Sequence, residues 1–420
     1  MPAGGAAVLD VGAILGRFAA DAALTAEQRR VVADLSSCRS PALGGRLEQC
    51  SACGRQEYRY NSCRNRHCPR CQGSRRAAWL EREAGSLLPV EYHHGVFTLP
   101  AALAELARRR PRLVYGLLLS ASSAAVLELA ADPRYLGAQV GLVSMLHTWG
   151  QTLSLHPHVH GLASGGGLSC HRRGEVDEQP CWRSCRPGFF WPVRVLSRLF
   201  RGKFLAGLRA AWAHEPLAEA ADAEALSSWF AALYGQEWVV YSPPPAAGAE
   251  VVLKYLARYV HRLALSNSRL RAVTALTVTF ADKEYRQGGR EKEMTLSGEE
   301  FARRFVQHVL PRGFVRVRHY GLLANRGRQA KRAVCRRLLL VATVVVVAAV
   351  PAASAPRCYA VCVGKVGWCW WACYLVRSVL AWWGVAARIA REEGAAGSEA
   401  FKAVRGQSPG WAPRWWLTIA

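Results

Sequence analysis

The sequence predicts an α+β fold in which helices flank a sheet, preceded by a small cysteine-rich module. Three strand-like segments, near residues 92–99, 139–146 and 156–162, are separated by long stretches rich in alanine and leucine. This pattern is typical of a sheet with one face covered by helices and the other free for a site. Upstream of these strands, paired cysteines lie among few apolar residues, which indicates metal binding rather than a separate core.

The charge balance favours a nucleic-acid partner. The 420 residues include 55 Lys and Arg against 30 Asp and Glu, a net charge of +25, and such an excess attracts a polyanion, with nucleic acid preferred over a membrane surface. Charged residues interrupt the first 35 residues, so we expect no secretory signal and a cytoplasmic location. The 14 cysteines are then expected to be metal ligands or free thiols rather than disulfides.

The length predicts two or three domains, which we place at residues 1–85, 86–330 and 331–420. The first begins with a helical lead-in over residues 1–35, where Thr25 and Gln28 are spaced as a capping box.

Paired cysteines follow the lead-in. Cys50 and Cys53, with Cys68 and Cys71 fourteen residues further on, have the spacing of two knuckles that close a tetrahedron around Zn²⁺. Three further residues are not needed for this site: Cys38, Cys63 and His67. Either they form a second zinc site, or Cys63 or His67 replaces one of the four cysteines of the first.

Arginines interleave the cysteines and indicate a phosphate-binding surface, although a solvated charged face explains any single one of them nearly as well. They are Arg55, Arg59, Arg64, Arg66, Arg70, Arg75 and Arg76.

The strands of the second domain follow. Residues 96–99 predict a buried strand ended by Pro100, residues 101–131 predict helix, and residues 139–146 predict a second strand. The third strand begins at Pro157 and carries His158 and His160.

Alternation of side chains puts His158 and His160 on one face of that strand and Val159 in the core behind. Two imidazoles spaced in this way can hold one divalent metal ion. A polar loop with unremarkable histidines is the alternative. The glycines at 165–167 predict a turn at the end of the strand.

A helix predicted over residues 250–263 carries two tyrosines away from its apolar side. Its leucines and Val260 fall on one arc at about 100° per residue, whereas Tyr255, Tyr259 and Arg262 cluster opposite. Phenols one turn apart, beside Arg258 and Arg262, suggest nucleophiles with phosphate-binding neighbours. Two surface tyrosines are the plainer interpretation.

The remaining elements are helices over residues 195–233, a strand with one polar face over 272–281, and a helix over 298–310. A basic strand that includes Arg316 and Arg318 is of the kind that follows a phosphate backbone.

Five segments together resemble the two-tyrosine rolling-circle transposases of the insertion-sequence 91 family, in the HUH superfamily. They lie in the family's order: Asn61–Gln72 (NSCRNRHCPRCQ), Val96–Pro100 (VFTLP), Leu146–Leu153 leading into His156–His160, Lys254–Tyr259 (KYLARY) and Arg318–Asn325 (RHYGLLAN).

The resemblance implies an HUH endonuclease-type antiparallel sheet, with His158 and His160 holding Mg²⁺ or Mn²⁺. It implies that Tyr255 and Tyr259 are paired nucleophiles that cut and rejoin single-stranded DNA, and that a zinc module recognises the element ends. Related enzymes add a third polar metal ligand, for which Gln151 and His156 are the candidates in this sequence. A small-molecule substrate and a membrane partner are not expected.

The resemblance ends near Arg328. Leu338–Pro356 carries no charge, and eight of the 15 tryptophans follow it. A transmembrane helix is one interpretation. An unselected, poorly folded tail produced by a frameshift is the one we prefer, because the residues show no periodicity.

Three other functions compete with strand transfer. They are a rolling-circle replication initiator, a zinc-dependent hydrolase built on His-x-His-x-His, and a catalytically inactive DNA-binding remnant. The paired cysteines favour the transposase over the initiator, and Leu162 stands where the common hydrolase pattern has an acid.

Overall fold

The computed structural model describes residues 9–19, 23–73, 77–79, 81, 87–170, 175–186, 192–214, 223–242, 264–284 and 290–348. The described strands are β1 (Gly45–Gln49), β2 (Gln56–Tyr60), β3 (Tyr92–Thr98), β4 (Ala138–Trp149), β5 (Leu155–Ser169), β6 (Trp182–Ser184), β7 (Val240–Tyr241), β8 (Leu270–Val273), β9 (Thr277–Glu284), β10 (Arg290–Ser297) and β11 (Val317–Gly321). The described helices are α1 (Val11–Phe18), α2 (Ala26–Ser36), α3 (Ala104–Arg109), α4 (Pro111–Ala131), α5 (Val193–His214), α6 (Ala223–Gly235), α7 (Gly298–Val306) and α8 (Arg328–Ala348).

Six of the described strands form one antiparallel sheet, which confirms the α+β prediction. Strands β11, β4, β5, β3 and β7 lie side by side in that order, and β6 pairs with the far half of β5. The long strand β5 is the centre, since β4 pairs along one side of it and β3 along the other.

Helices cover one face of this sheet. Val159 and Ala163 of β5 and Leu146 of β4 are buried in a core shared with α4 and α5. Because side chains alternate along a strand, His158 and His160 lie on the opposite face, as the sequence predicted. Among the described helices, α4 is long and apolar enough to cross a membrane. However, 61% of its most apolar 18-residue stretch is buried inside the protein, so α4 serves here as a core helix.

The cysteine-rich segment shares its core with later parts of the chain. Residues of α1 and α2 and the buried Cys38, Cys68 and Cys71 pack with Phe280 of β9 and Phe301 of α7. This sharing supplies the apolar partners that the segment lacks by itself. The described residues up to 345 belong to one compact unit, and the boundary at residue 85 stays a prediction.

The start of α2 confirms the predicted capping box. The Thr25 side chain accepts a hydrogen bond from the Gln28 backbone N–H, and the Gln28 side chain accepts one from the Thr25 N–H. Two donors that the first turn leaves unpaired are satisfied in this way.

The predicted turn at the glycines is wrong, because β5 continues through them to Ser169. A Cβ on Gly167 would lie 2.2 Å from the Gln139 carbonyl oxygen of β4, and one on Gly166 would lie 2.7 Å from the Trp182 ring of β6. The glycines therefore allow close approach of both neighbouring strands.

The predicted single strand over residues 272–281 is two strands, β8 and β9, joined by a turn. The Thr274 hydroxyl accepts hydrogen bonds from the N–H groups of Leu276 and Thr277, which is the local bonding that makes threonine a turn former.

Two predictions fall wholly or in part outside the described residues. The helix that carries Tyr255, Arg258, Tyr259 and Arg262 lies within residues 243–263, which are outside the described residues, and so is the part of the predicted tail from residue 349 on. The first part of that tail, up to Ala348, is described as part of the helix α8.

Candidate metal centres

Three imidazoles meet on the face of the central sheet opposite α4 and α5, where His147 and His160 are buried and His158 is half-buried. His147, His158 and His160 each place a ring nitrogen within 4.8 Å of the other two. His158 and His160 are two residues apart on β5, and His147 lies directly across from His158 on β4. Alternation of side chains along β5 puts two of the histidines on one face, and the pairing register of β4 brings the third beside them.

The β4–β5 connection sets this register. Its N–H groups bond within the connection, from Gly150 to the Ser154 carbonyl and from Leu153 to the Gly150 carbonyl. Leu153 has a positive φ of 60°, which is unfavourable for a branched side chain. Its buried side chain and its carbonyl, which accepts hydrogen bonds from Gln307 and His308, hold that conformation.

Hydrogen bonds orient two of the rings so that Nε2 is left for a metal. The Nδ1–H of His158 donates to the carbonyl oxygen of His156, at 2.7 Å. Nδ1 of His160 lies 3.0 Å from Nε2 of the buried His94 on β3. Burial, and next the charge of His158, lower the pKa of His94 to about 3, so His94 is neutral. With a metal on Nε2 of His160, the Nδ1–H of His160 would donate to His94.

The donor set fits a divalent transition metal. Three neutral imidazoles leave coordination positions open for oxygen ligands. Nitrogen donors suit Mn²⁺ and later first-row ions better than Mg²⁺, which prefers oxygen. The Trp149 ring stacks on His147, with centroids 4.7 Å apart, and fixes the plane of the His147 ring.

We expect His94→Leu to weaken Mn²⁺ binding about 10- to 100-fold, the usual cost of losing a group that orients a metal-binding histidine. Isothermal titration of the zinc-loaded full chain with Mn²⁺ measures this change. The matched variant His94→Gln keeps an acceptor and should recover most of the affinity. Equal losses in both variants would contradict the orienting role.

Of the two predicted third ligands, His156 does not belong to this group of donors, and the role of the Gln151 side chain stays a prediction. His156 is exposed, with its ring 5.3 Å from that of His158, and its carbonyl orients His158 instead. Gln151 lies in the connection, where its carbonyl accepts a hydrogen bond from Arg269. His147 was missed because a cross-strand partner depends on register. The short connection between β4 and β5 could have predicted it, because a short connection places residues near 147 on one strand opposite residues near 158 on the next.

Four thiols form a second candidate metal site. The Sγ atoms of Cys38, Cys63, Cys68 and Cys71 all lie within 4.8 Å of one another, and three of the pairs are 3.5 to 3.7 Å apart. A tetrahedron with Zn–S bonds near 2.3 Å has sulfur atoms about 3.8 Å apart. Burial raises the pKa of Cys63 to about 12, so zinc displaces protons as it binds.

The predicted zinc set is corrected in two members. Cys50 and Cys53 lie exposed at the turn of the β1–β2 hairpin, whose five-residue strands carry them about 17 Å from its base. Cys38 and Cys63 stand at that base and complete the site with Cys68 and Cys71. The predicted second site with His67 does not form among the described residues, because its two cysteines belong to the first.

Backbone N–H groups of Cys53 and Ala52 lower the pKa of Cys50. Backbone N–H groups that face a cysteine sulfur are typical of a metal-binding knuckle. Cys50 and Cys53 supply only two thiols, whereas a structural zinc takes four ligands.

Several predicted DNA-binding arginines have partners within the protein. Arg66 donates to the Phe314 and Pro311 carbonyls at 2.6 and 3.1 Å, and Arg70 pairs with Asp10 at 3.0 Å. Burial, and next the charge of Arg66, lower the pKa of Arg316 to about 10.

The other predicted arginines on described residues reach the surface to different degrees. Arg55 and Arg64 are exposed, Arg59 forms ion pairs with Glu48 and Glu57, and the Arg318 guanidinium lies over the Phe314 ring at 5.4 Å. Arg75 and Arg76 lie outside the described residues.

Comparison with known proteins identifies the family. A family model described as "Transposase zinc-binding domain" matches residues 12–99, and one described as "Putative transposase" matches residues 141–331. The chain is 49% identical over 322 residues to "Putative transposase y4qJ" of Sinorhizobium fredii (strain NBRC 101917 / NGR234), covering 75% of this chain and 79% of that protein. It belongs to the insertion-sequence 91 transposase family.

A second relative of this transposase agrees. The "Transposase for insertion sequence element IS801" of Pseudomonas savastanoi pv. phaseolicola is 30% identical over 305 residues, which is 70% of each chain. No solved structure matches. The zinc-binding model spans the four-thiol site, which supports Zn²⁺ there, and the second model spans all three histidines.

Proposed function

We propose that this transposase cuts and rejoins single-stranded DNA by a rolling-circle mechanism, with a metal ion at His147, His158 and His160. The observation that carries the proposal is the convergence of these three imidazoles on the face of the sheet opposite α4 and α5. His158 is the least buried of the three, so a DNA backbone would approach the site from its side, and the net charge of +25 favours that approach. The partners are then single-stranded DNA and the element ends, in the cytoplasm.

Tyr255 and Tyr259 are the nucleophiles that we assign to this reaction. A phenol oxygen attacks the phosphorus of a phosphodiester and gives up its proton, the bond to the 3′-oxygen breaks, and the departing oxygen takes up a proton. The product is a 5′-phosphotyrosine link and a free 3′-OH. A metal ion at the histidines supplies charge neutralisation on the phosphate oxygens. A second phenol cuts another strand while the first link is held.

The described residues on either side of residues 243–263 are compatible with this assignment. Before them, Tyr241 of β7 pairs with Val96 of β3, which in turn pairs with His160. After them, Leu265 is buried in the same core as Leu153 of the β4–β5 connection. The chain thus enters and leaves this segment beside elements that carry the histidine site.

Incubation with Mn²⁺ and end-labelled single strands that carry the element's ends tests the proposal. We expect a covalent protein–DNA adduct on a denaturing gel, lost in the double variant Tyr255→Phe, Tyr259→Phe, because phenylalanine has no nucleophilic oxygen. The matched control Tyr135→Phe, Tyr234→Phe changes two exposed tyrosines elsewhere and should retain the adduct. An adduct that survives loss of both nucleophiles would overturn the assignment, and no adduct with any cognate end would favour an inactive remnant.

A further inference from the structure

Strands β1 and β2 form a two-stranded ribbon whose residues, with the half-buried Glu48 excepted, are all exposed. Pairing of Leu47 with Tyr58 and of Gln49 with Gln56 puts these side chains on one side, together with Tyr60. We call this set of five residues the ribbon face. Tyr58 is 67% exposed, Leu47 47% and Tyr60 40%.

The ribbon face takes no part in the packing of the described protein. None of its residues belongs to a described core cluster or packs against one. The base of the ribbon is held firmly, since Arg39 N–H donates to the Asn61 carbonyl and Asn61 N–H to that of Gly44, both at 3.0 Å. Cys38 and Cys63 of the zinc site flank this base. An exposed aromatic face that folding does not explain, on a ribbon anchored at its base, indicates a binding surface.

The two tyrosines match the stacking geometry of nucleic-acid bases. Their ring centroids are 6.3 Å apart and their planes differ by 10°. The two exposed rings are thus nearly parallel, as neighbouring bases of a stacked DNA strand are. Bases stack on exposed tyrosines irrespective of sequence.

The remaining chemistry also suits DNA. The paired amides of Gln49 and Gln56 carry both donors and acceptors, which complement base edges. A second copy of this chain would bring another +25 charges, which opposes self-association through this face. The opposite side of the ribbon holds Arg46 and Arg59 in ion pairs with Glu48.

We infer that the ribbon face binds unpaired bases of the DNA strand on which the transposase acts, by stacking on Tyr58 and Tyr60. This inference rests on the proposed function for the identity of the strand. It moves the expected DNA contacts of the cysteine-rich segment from Arg66 and Arg70, which bond within the protein, to the tyrosines of the hairpin.

Fluorescence anisotropy of the full zinc-loaded chain tests the inference. The probes are a labelled mixed-sequence single strand of about 30 nucleotides, long enough for several binding sites, and an abasic strand of equal length. We expect Tyr58→Ala, Tyr60→Ala to bind the base-bearing strand at least about tenfold more weakly, because stacking on each ring contributes to affinity. Binding of the abasic strand should be unchanged, since it keeps the phosphates and lacks the bases.

Two matched variants complete the design. Tyr58→Phe, Tyr60→Phe keeps both rings and should bind within about threefold of the unmodified chain. Tyr135→Ala, Tyr234→Ala removes two tyrosines that are 39% and 38% exposed on other elements and should leave affinity unchanged. Zinc content reports the fold of each variant.

Three outcomes would overturn the inference. They are unchanged affinity in the alanine variant, an equal loss with the abasic strand, and conversion of a dimer to a monomer in sedimentation without a change in DNA affinity. The test is separable from that of the proposed function, because the alanine variant keeps all catalytic residues. The anisotropy measures binding alone and needs no Mn²⁺ or cleavage, whereas failure of the proposed function removes the adduct from the unmodified chain and leaves its binding of the strand intact.

Discussion

Replacing His147 with alanine should reduce Mn²⁺ affinity more than about 100-fold and abolish the covalent DNA adduct, because a lost ligand costs more than a lost orienting group. The remaining pair, His158 and His160, would hold the ion by two bonds. Isothermal titration of the zinc-loaded chain measures the affinity, and the oligonucleotide assay measures the adduct.

Two variants distinguish His147 as the third metal ligand from the candidates that the sequence suggested. His156→Ala changes a candidate that lies outside the group of donors, and Gln151→Ala changes the other candidate for the third ligand; each should alter the Mn²⁺ affinity less than about threefold. If either variant lost the metal while His147→Ala kept it, the three-imidazole site would be wrong.

Replacing Cys63 with serine should remove the zinc and unfold the cysteine-rich segment together with the core it shares with β9 and α7. A structural zinc contributes about 10 kcal/mol or more to folding, which is comparable with the whole stability of a typical domain, about 5–15 kcal/mol. Zinc content per purified chain, with the thermal unfolding curve, measures the outcome.

Cys53→Ser is the matched control on the same hairpin. Cys53 is exposed and lies outside the four-thiol site, so this variant should keep about one zinc per chain and a normal unfolding curve. Two zinc ions in the unmodified chain and one in Cys53→Ser would instead show that Cys50 and Cys53 hold an ion of their own.

Local patterns predicted the elements well where neighbours did not intervene. The capping box at Thr25, the strand with Val96, and the placing of His158 and His160 opposite Val159 all follow from bonding or alternation within a few residues. The glycines after His160 show the limit of such patterns. They were expected to form a turn, but the carbonyl of Gln139 and the ring of Trp182 require glycine inside the strand.

Both candidate metal centres show the same limit. Spacing in the sequence indicated zinc but paired Cys68 and Cys71 with the cysteines at the tip of the hairpin rather than with those at its base. The arginines beside them were expected on the surface, yet Arg66 and Arg70 bond to carbonyls and to Asp10 within the fold. A side chain's partners depend on segments distant in sequence.

The sequence by itself determined the α+β class, the family, the presence of a zinc site and two of the three converging histidines, because residue types and short spacings carry that information. Only the tertiary structure decided that His147 is the third imidazole, that Cys38 and Cys63 complete the four thiols, and that the ribbon face is exposed. Each of these depends on strand register or on the length of a hairpin, which bring together residues that no local pattern relates.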